Sequence, residues 1–354
     1  MSRLNDIELS NLFDNYLCSD NLTPYRVSIQ QNGKKRPEED RVVLDSLAII
    51  FDAPGSLEMR KTALTAMGCD DVLVEIHYSG ISTGTEKLLW TGQMPSFPGM
   101  GYPLVPGYES VGRIVDAGPD HQNRIGEWVF VPGASCYRDA RGLFGGAART
   151  LIVASARAMP IKEELAEKGI LYALAATALH AICHGELPQL IIGHGILGRL
   201  LARLTLAAGA PAPVVWDTNP ARQNGAQGYS VIHPDADDRR DYHHIYDVSG
   251  DASSINAFMG RLAKGGELVL AGFYSQPISF AFPLAFQKEA RLRVAAEWQP
   301  EDLSSVHALI ETGALDLSGL ITDISPASNA RAAYPEAFEN PECLKMVLDW
   351  RECE

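Results

Sequence analysis

The spacing of apolar residues divides the chain into a β-rich first part and an α/β second part. Val72, Val74, Ile76 and Tyr78 recur at every second position, which predicts a strand with one buried face. Further short apolar runs between glycine and proline turns predict strands at residues 42–51, 57–61, 111–117, 127–131 and 151–154. Short strands joined by such turns are typical of a small, partly open barrel.

After residue 160 the pattern changes to alternating strands and helices. Apolar periodicity predicts helices at residues 163–184, 197–208, 255–262 and 301–312. Strands are predicted at residues 190–192, 214–216, 245–248 and 267–271, with a turn at 264–266 and further elements at 278–282, 292–296 and 343–348. Strands that alternate with helices form parallel sheets, so we predict an α/β fold with a doubly wound parallel sheet after the barrel.

The clearest sign of chemistry is the glycine motif G-H-G-I-L-G at residues 193–198, between a predicted strand and a predicted helix. Gly193 permits a tight turn, Gly195 lets a pyrophosphate approach the backbone, and Gly198 permits close packing of the helix. Asp217 ends the next strand, where its carboxylate would accept hydrogen bonds from a ribose diol and repel a 2′-phosphate. We therefore predict NAD rather than NADP as cofactor, with binding residues Gly193, Gly195, Ile196, Leu197, Gly198 and Asp217. The alternative is a glycine turn that binds nothing.

Composition narrows the choice of partner. The chain has 354 residues, a length that predicts two domains, and its 44 acidic residues against 30 basic ones give a formal net charge of −14. Such a charge disfavours nucleic acid and anionic membrane surfaces as partners. The longest apolar stretch, residues 170–183, contains His180 and is too short for a membrane span. Six scattered cysteines without a C-x-x-C motif are typical of reduced thiols in the cytoplasm.

Three further motifs carry a resemblance to a known superfamily. They are S-G-I-S at residues 79–82, V-P-G-Y-E-S-V-G at residues 105–112 and L-I-T-D at residues 320–323. Together with the glycine motif, they resemble the medium-chain dehydrogenase/reductase superfamily. Within it, long stretches at residues 80–92, 97–110, 142–147 and 295–300 are similar to the bacteriochlorophyllide a dehydrogenases.

The resemblance implies a domain plan and an activity. A GroES-like β-barrel domain would occupy residues 42–165, a Rossmann domain residues 166–296, and residues 297–354 would return to the barrel domain, while the polar residues 1–41 would form a flexible extension. The implied reaction is NAD-linked oxidation of the 3-(1-hydroxyethyl) group of a bacteriochlorophyllide to a 3-acetyl group. The superfamily also implies a homodimer.

The same resemblance bears on metal binding. Many superfamily members hold a catalytic zinc with a cysteine, a histidine and a second cysteine, whereas the matching positions here carry Ser82, Tyr108 and Ala173. None of these is a good zinc ligand, and the four closely spaced cysteines of a structural zinc loop are missing. We therefore predict neither a catalytic nor a structural zinc.

Without a metal, a side chain or ordered water must take the hydroxyl proton of the substrate. Tyr108 is the first candidate, and Lys87 is a candidate cation that would lower the pKa of its phenol. Glu109 and Ser82 are further candidates. The alternative is that Tyr108 is a packing aromatic and Lys87 a solvated helix residue.

An apolar, irregular stretch between Trp90 and Tyr102 suits a flat macrocycle. The candidate substrate-binding residues are Trp90, Phe97, Met100, Tyr102 and, from the second part of the chain, Trp298. Each of them is equally compatible with an ordinary place in the core.

Two other functions stay open from the sequence. A zinc-free quinone or enoyl reductase has the same domain plan but uses NADPH and lacks an acid at position 217. A non-catalytic pigment carrier would keep the barrel and bind no nucleotide, so it would show no response to NAD.

Overall fold

A computed structural model describes residues 44–295 and 297–353 of the chain. The extension expected at residues 1–41 lies outside the described residues. The first part is built from nine strands and one short helix, α1 (Thr85–Thr91). The strands are β1 (Asp45–Ala53), β2 (Ser56–Ala63), β3 (Asp71–Gly80), β4 (Leu104–Val105), β5 (Ser110–Ala117), β6 (Trp128–Val131), β7 (Arg141–Gly142), β8 (Thr150–Ala154) and β9 (Met159–Pro160).

Two sheets form the barrel domain. One has the order β2-β1-β4-β7, and the other contains β3, β5, β6 and β9, with β8 paired to β3. On β3, Val72, Val74 and Ile76 are fully buried while the residues between them are half-buried, as the two-residue alternation predicts. The predicted barrel is thereby confirmed.

The end of the chain adds two strands to this barrel sheet. They are β16 (Asp323–Pro326) and β17 (Met346–Asp349), and β17 pairs antiparallel with β3, with Leu348 opposite Ser79. The buried indole of Trp350 donates a hydrogen bond from Nε1 to Ser79 Oγ at 2.8 Å. Residues after the second domain therefore lie against the strand that leads into the S-G-I-S turn.

The second domain is a parallel sheet of six strands in the order β12-β11-β10-β13-β14-β15. The strands are β10 (Leu190–Ile192), β11 (Val214–Trp216), β12 (Ser230–Ile232), β13 (Tyr242–Asp247), β14 (Leu262–Leu270) and β15 (Arg291–Val294). The chain runs outward from β10 to β12 on one side and from β13 to β15 on the other. The carboxyl ends of β10 and β13 thus form a topological switch point, where parallel sheets bind ligands.

Helices cover this sheet and connect it to the barrel. They are α2 (Tyr172–Cys183), α3 (Ile196–Ala207), α4 (Ile255–Gly260), α5 (Phe282–Lys288) and α6 (Pro300–Glu311), whereas α7 (Ala330–Glu339) packs against the barrel core. The helical segment Glu163–Cys183 is long and apolar enough to cross a membrane by length and composition alone. Its apolar residues are mostly buried, and Ala166, at a φ of 44°, interrupts it, which is typical of a core segment.

Several element boundaries in the second domain differ from the sequence prediction. The helix expected to reach residue 262 ends at Gly260, and β14 already begins at Leu262. Gly265, at a φ of 78°, lies inside β14 where its register with β13 shifts, so the glycines mark a bulge rather than a turn between elements. The element expected at residues 278–282 is irregular, and the helix there begins only at Phe282.

Candidate active site

The glycine motif forms the turn between β10 and α3 at the switch point. Gly193 has a φ of 103°, which favours glycine, and its N–H donates to the carbonyl of Trp216 at 2.8 Å. A Cβ atom on Gly198 would collide with the Gly193 carbonyl oxygen. At Gly195 a Cβ would meet only Arg222 Nη1, at 3.6 Å, so the space in front of the helix start is open to a ligand.

Asp217 follows β11 and is bound to the backbone of the same region. Its Oδ2 accepts the His194 N–H at 2.9 Å, and its Oδ1 accepts the Asn219 N–H at 2.8 Å. The carboxylate is half-buried, and each oxygen retains a second lone pair. Asp217 can therefore hold the glycine loop and still accept a hydrogen bond from a ribose.

The buried side chain of His194 holds the glycine loop in place through two hydrogen bonds. His194 Nδ1 lies 2.5 Å from the carbonyl oxygen of Arg222, and Nε2 lies 2.8 Å from the hydroxyl of Tyr229. Because a carbonyl only accepts, Nδ1 carries the hydrogen and Nε2 accepts from the tyrosine. Burial lowers the pKa of His194 to about 4, so the ring is neutral near pH 7. Sequence reasoning missed this role, whose only signal was a large polar residue between two loop glycines.

The two hydroxyls at the candidate catalytic position meet directly. Ser82 follows β3, Tyr108 precedes β5, and Ser82 Oγ lies 2.6 Å from Tyr108 Oη. The ring of Phe144 packs edge-on against Tyr108, with centroids 5.5 Å apart. Burial, and after it the nearby charge of Glu109, raises the pKa of Tyr108 well above its ordinary value. Tyr108 is therefore a neutral hydroxyl rather than a phenolate base.

Glu109 is fully buried behind this pair and faces a lysine that the sequence did not reveal. Lys345, only 2 % exposed, forms an ion pair with Glu109 and donates to the carbonyl of Ile81 at 3.1 Å. Burial raises the pKa of Glu109, while Lys345 opposes that shift. A Cβ on Gly80 would collide with the Glu109 carboxylate, so a larger residue at this position would displace that carboxylate.

A second carboxyl group is buried beside the first. Glu86 lies on α1 with no exposed surface, and its Oε1 accepts the Ser82 N–H at 3.0 Å. Burial raises the pKa of Glu86 to about 8, with Glu109 adding to the rise and Lys345 opposing it. Glu86 therefore carries a proton at neutral pH. Its place could have been predicted from the sequence, because it shares a helix face with Leu89, which is also fully buried.

Lys87 does not reach the phenol. It lies on the exposed face of α1, and its Nζ donates to the carbonyl oxygen of Phe338 at 2.8 Å. The expectation that Lys87 lowers the pKa of Tyr108 is therefore wrong, since that pKa is raised and the buried ammonium of this region belongs to Lys345. Of the adjacent positions 86 and 87 on the helix, 86 is therefore buried and 87 exposed.

Comparison with known proteins decides the family. Residues 68–163 match the model of the alcohol dehydrogenase GroES-like domain. The 2-desacetyl-2-hydroxyethyl bacteriochlorophyllide A dehydrogenase of Rhodobacter capsulatus is 57 % identical over 312 residues, which cover 87 % of this chain and 99 % of that protein. The chain belongs to this dehydrogenase family. It is an oxidoreductase of the medium-chain dehydrogenase/reductase superfamily acting on a CH–OH group, which confirms the resemblance read from the motifs.

Solved structures give the same fold. L-Idonate 5-dehydrogenase from Escherichia coli superposes with a TM-score of 0.76 at 19 % identity, covering 88 % of this chain and 100 % of that one. An alcohol dehydrogenase from Escherichia coli, solved with NADH, superposes with a TM-score of 0.74 at 18 % identity, covering 86 % of this chain and 99 % of that one. These likenesses confirm the predicted fold class of GroES-like barrel plus Rossmann domain.

The zinc found in many members of the superfamily does not fit this dehydrogenase. Ser82 and Tyr108 are neutral hydroxyls hydrogen-bonded to each other, and zinc sites are built from thiolates, imidazoles and carboxylates. Glu109 is already paired with Lys345. Within residues 44–295 and 297–353, no group of three or more His, Cys, Asp and Glu side chains could hold a metal ion.

The candidate substrate residues separate into two groups. Trp90 packs edge-on against Phe51, with centroids 5.5 Å apart, and belongs to the barrel core. Phe97, Met100 and Tyr102 are half-buried against the same core, and the Tyr102 hydroxyl donates to the carbonyl of Leu89. Trp298 instead packs, as Tyr108 does, against the core that runs from the barrel into the Rossmann domain.

Sequence reasoning also missed an acid at the switch point. Asp247 ends β13 with no exposed surface, and its Oδ1 accepts the Ser249 N–H at 2.8 Å. Its Oδ2 accepts a hydrogen bond from the hydroxyl of Tyr274. Burial raises the pKa of Asp247, while the hydrogen bonds from Ser249 and Tyr274 oppose that shift. The sequence did contain a signal for Asp247, because it is a polar residue near the carboxyl end of a predicted strand, where parallel sheets bind ligands.

Proposed function

We propose that this dehydrogenase catalyses the NAD-dependent oxidation of the 3-(1-hydroxyethyl) group of a bacteriochlorophyllide to a 3-acetyl group, a late step of bacteriochlorophyll a biosynthesis. The observation that carries the proposal is the 57 % identity, over 99 % of its length, to a protein named for the hydroxyethyl pigment. The hydroxyl pair of Ser82 and Tyr108 and the open glycine turn supply the two halves of an alcohol dehydrogenase site.

The glycine turn and Asp217 would hold the cofactor. The backbone N–H groups of Ile196 and Leu197, at the start of α3, would face the pyrophosphate. The half-buried carboxylate of Asp217 favours a ribose diol and repels a 2′-phosphate, which supports NAD over NADP. NAD accepts the hydride at its nicotinamide ring. A solved structure of the same fold contains NADH.

Ser82 and Tyr108 would bind the substrate hydroxyl. The carbon of the CH–OH group would lose a hydride, for which bound NAD would be the acceptor, and the hydroxyl would lose a proton that passes through the two protein hydroxyls towards solvent. Tyr108, whose pKa is raised, acts by donating one hydrogen bond as it accepts another, which suits a relay better than a base. Glu109 acts behind Tyr108 and does not touch the substrate.

The macrocycle would lie on apolar side chains next to the hydroxyl pair. Trp298 and Phe144 are half-buried, and Phe144 contacts Tyr108, so they would border the reacting edge of the pigment. Phe97 and Met100 keep part of their surface exposed and would bind a more distant part of the ring. Trp90 and Tyr102 would support this surface from the barrel core.

We further propose that the enzyme is a cytoplasmic homodimer. The strand β15 is the outer strand of its sheet, and its Leu292 and Val294 are 38 % and 75 % exposed. On the neighbouring helix Phe282 and Phe286 are 68 % and 70 % exposed, beside a surface cavity of about 470 Å³. A second copy pairing along β15 would cover this apolar edge. The free cysteines among the described residues support a reducing compartment.

The test is incubation of the purified enzyme with 3-hydroxyethyl bacteriochlorophyllide and either NAD or NADP. We expect NADH absorbance at 340 nm to rise together with a red shift of the pigment, because the acetyl group conjugates with the ring, and much slower turnover with NADP. Preference for NADP would favour the quinone or enoyl reductase. Pigment binding without any response to NAD would favour the carrier. Sedimentation velocity of the wild type and Val294→Lys tests the dimer.

A further inference from the structure

The two hydroxyls of the proposed catalytic pair come from separate turns of the barrel. Ser82 lies just beyond the end of β3, and Tyr108 lies just before the start of β5, strands that pair with Ser79 opposite Ser110. One backbone hydrogen bond, from Gly80 N–H to the Glu109 carbonyl at 2.8 Å, joins the two turns. A hydroxyl contact of 2.6 Å between side chains on such turns needs both turns to be held in place.

Lys345 contacts the residue adjacent to each hydroxyl. Its Nζ donates to the carbonyl of Ile81, next to Ser82, at 3.1 Å and forms an ion pair with the carboxylate of Glu109, next to Tyr108. Lys345 stands immediately before β17, and the Met346 carbonyl accepts the Ile81 N–H at 3.0 Å. The ammonium is thus brought to both turns by the C-terminal segment.

We propose that Lys345 is a positioning residue, which holds the Ser82 and Tyr108 turns in register so that their hydroxyls together receive the substrate oxygen. This inference rests on the proposed role of the hydroxyl pair. It also gives a catalytic purpose to the return of the C-terminal segment to the barrel, because that segment carries the ammonium that contacts both turns.

Stability alone is a weak reason for such an arrangement. Burying an ion pair requires the desolvation of two charges, and well-packed apolar residues of similar volume are often as stable or more so. Lys345 is 2 % exposed and Glu109 is fully buried, so both charges lose their water. Apolar residues could fill the same space as this ion pair without the cost of desolvation. A role in fixing the positions of the two turns explains why the ion pair is there instead.

The test compares two matched double variants. Lys345→Met/Glu109→Gln removes both charges together, because removing one alone would leave an unpaired buried charge and threaten folding. Arg124→Met/Glu127→Gln is the control, since Arg124 forms an ion pair with Glu127 at 2.9 Å and also donates to the carbonyls of Ser155 and Ala158, away from the two turns. Circular dichroism and thermal melting establish that both variants fold.

We expect Lys345→Met/Glu109→Gln to lower kcat roughly tenfold to a hundredfold, while KM for NAD stays within about twofold of the wild type. The control should change neither constant. In crystals of the first variant, Ser82 Oγ and Tyr108 Oη should no longer be within hydrogen-bond distance. An unchanged separation of the two hydroxyls overturns the positioning role whatever the activity. A wild type that does not oxidise the pigment overturns the proposed function instead, and the crystal structure still decides the role of Lys345.

Discussion

The candidate site has two ends that are built in opposite ways: the cofactor end, at the glycine turn 193–198 and Asp217, and the catalytic end, around Ser82 and Tyr108. At the cofactor end, backbone groups of one turn would do the binding, and one carboxylate and one neutral histidine hold that turn. At the catalytic end, Ser82, Tyr108 and Lys345 come from three distant parts of the chain and gather around two buried carboxyl groups. The first end depends on local conformation, and the second depends on the whole barrel being assembled.

The largest expected effect is at the catalytic end. Tyr108→Phe removes a hydroxyl that contacts Ser82 and would contact the substrate, so kcat should fall by about a hundredfold or more while KM for NAD changes little. Steady-state kinetics with the hydroxyethyl pigment measure this. Lys87→Ala is the control and should retain activity within about twofold, because its ammonium binds the Phe338 carbonyl. Equal loss in both variants would contradict the assignment of the hydroxyl pair.

Buried Glu86 should give the catalytic end a characteristic pH dependence of stability. Its pKa is 4.5 in the unfolded reference and about 8 in the folded protein, so the folded state holds the extra proton between these values. The contribution of Glu86 to the free energy of unfolding therefore decreases as the pH rises from 4.5 to 8. Denaturant melts of wild type and Glu86→Gln across this range should differ in slope, the variant having lost that decrease. Parallel curves would show that Glu86 titrates normally.

His194 should give the cofactor end the opposite dependence. Its pKa falls from 6.5 to about 4 on folding, so the unfolded chain binds the extra proton between these values. The free energy of unfolding should decrease as the pH falls from 6.5 to 4, by an amount of up to about 3 kcal/mol. His194→Gln should lose this decrease in the same denaturant melts. A histidine that titrates near 6.5 by nuclear magnetic resonance would contradict the lowering of its pKa by burial.

The same difference between the two ends explains which parts of the site could be predicted from the sequence. The glycine turn and Asp217 could be predicted because all their groups lie within a short stretch and the spacing itself requires the geometry. Lys345 could not, since a lysine just before a late strand looks like a surface residue until β17 is paired with β3. The sequence prediction placed Lys87 beside Tyr108 and overlooked Glu86, because charge was considered without the phase of the helix, which turns position 86 inward with Leu89.

A smaller effect is expected from a change at Asp217, which should alter the preference between NAD and NADP but not kcat. Asp217→Ser removes the negative charge that would face a bound ribose while keeping a hydroxyl for the loop, so KM for NAD should rise about tenfold and turnover with NADP should improve. The kcat with NAD should change little, because the catalytic hydroxyls are in the other domain. Initial rates with both cofactors measure the ratio. An unchanged preference would mean that Asp217 serves only the glycine loop.

Turnover by the metal-free enzyme tests most directly whether the hydroxyls of Ser82 and Tyr108 take the place of a catalytic zinc. The enzyme is dialysed against a strong zinc chelator, its metal content is verified by mass spectrometry, and turnover of 3-hydroxyethyl bacteriochlorophyllide with NAD is then followed. We expect an undiminished rate, with NADH and 3-acetyl pigment formed in equal amounts. Loss of turnover that added zinc restores would contradict the account.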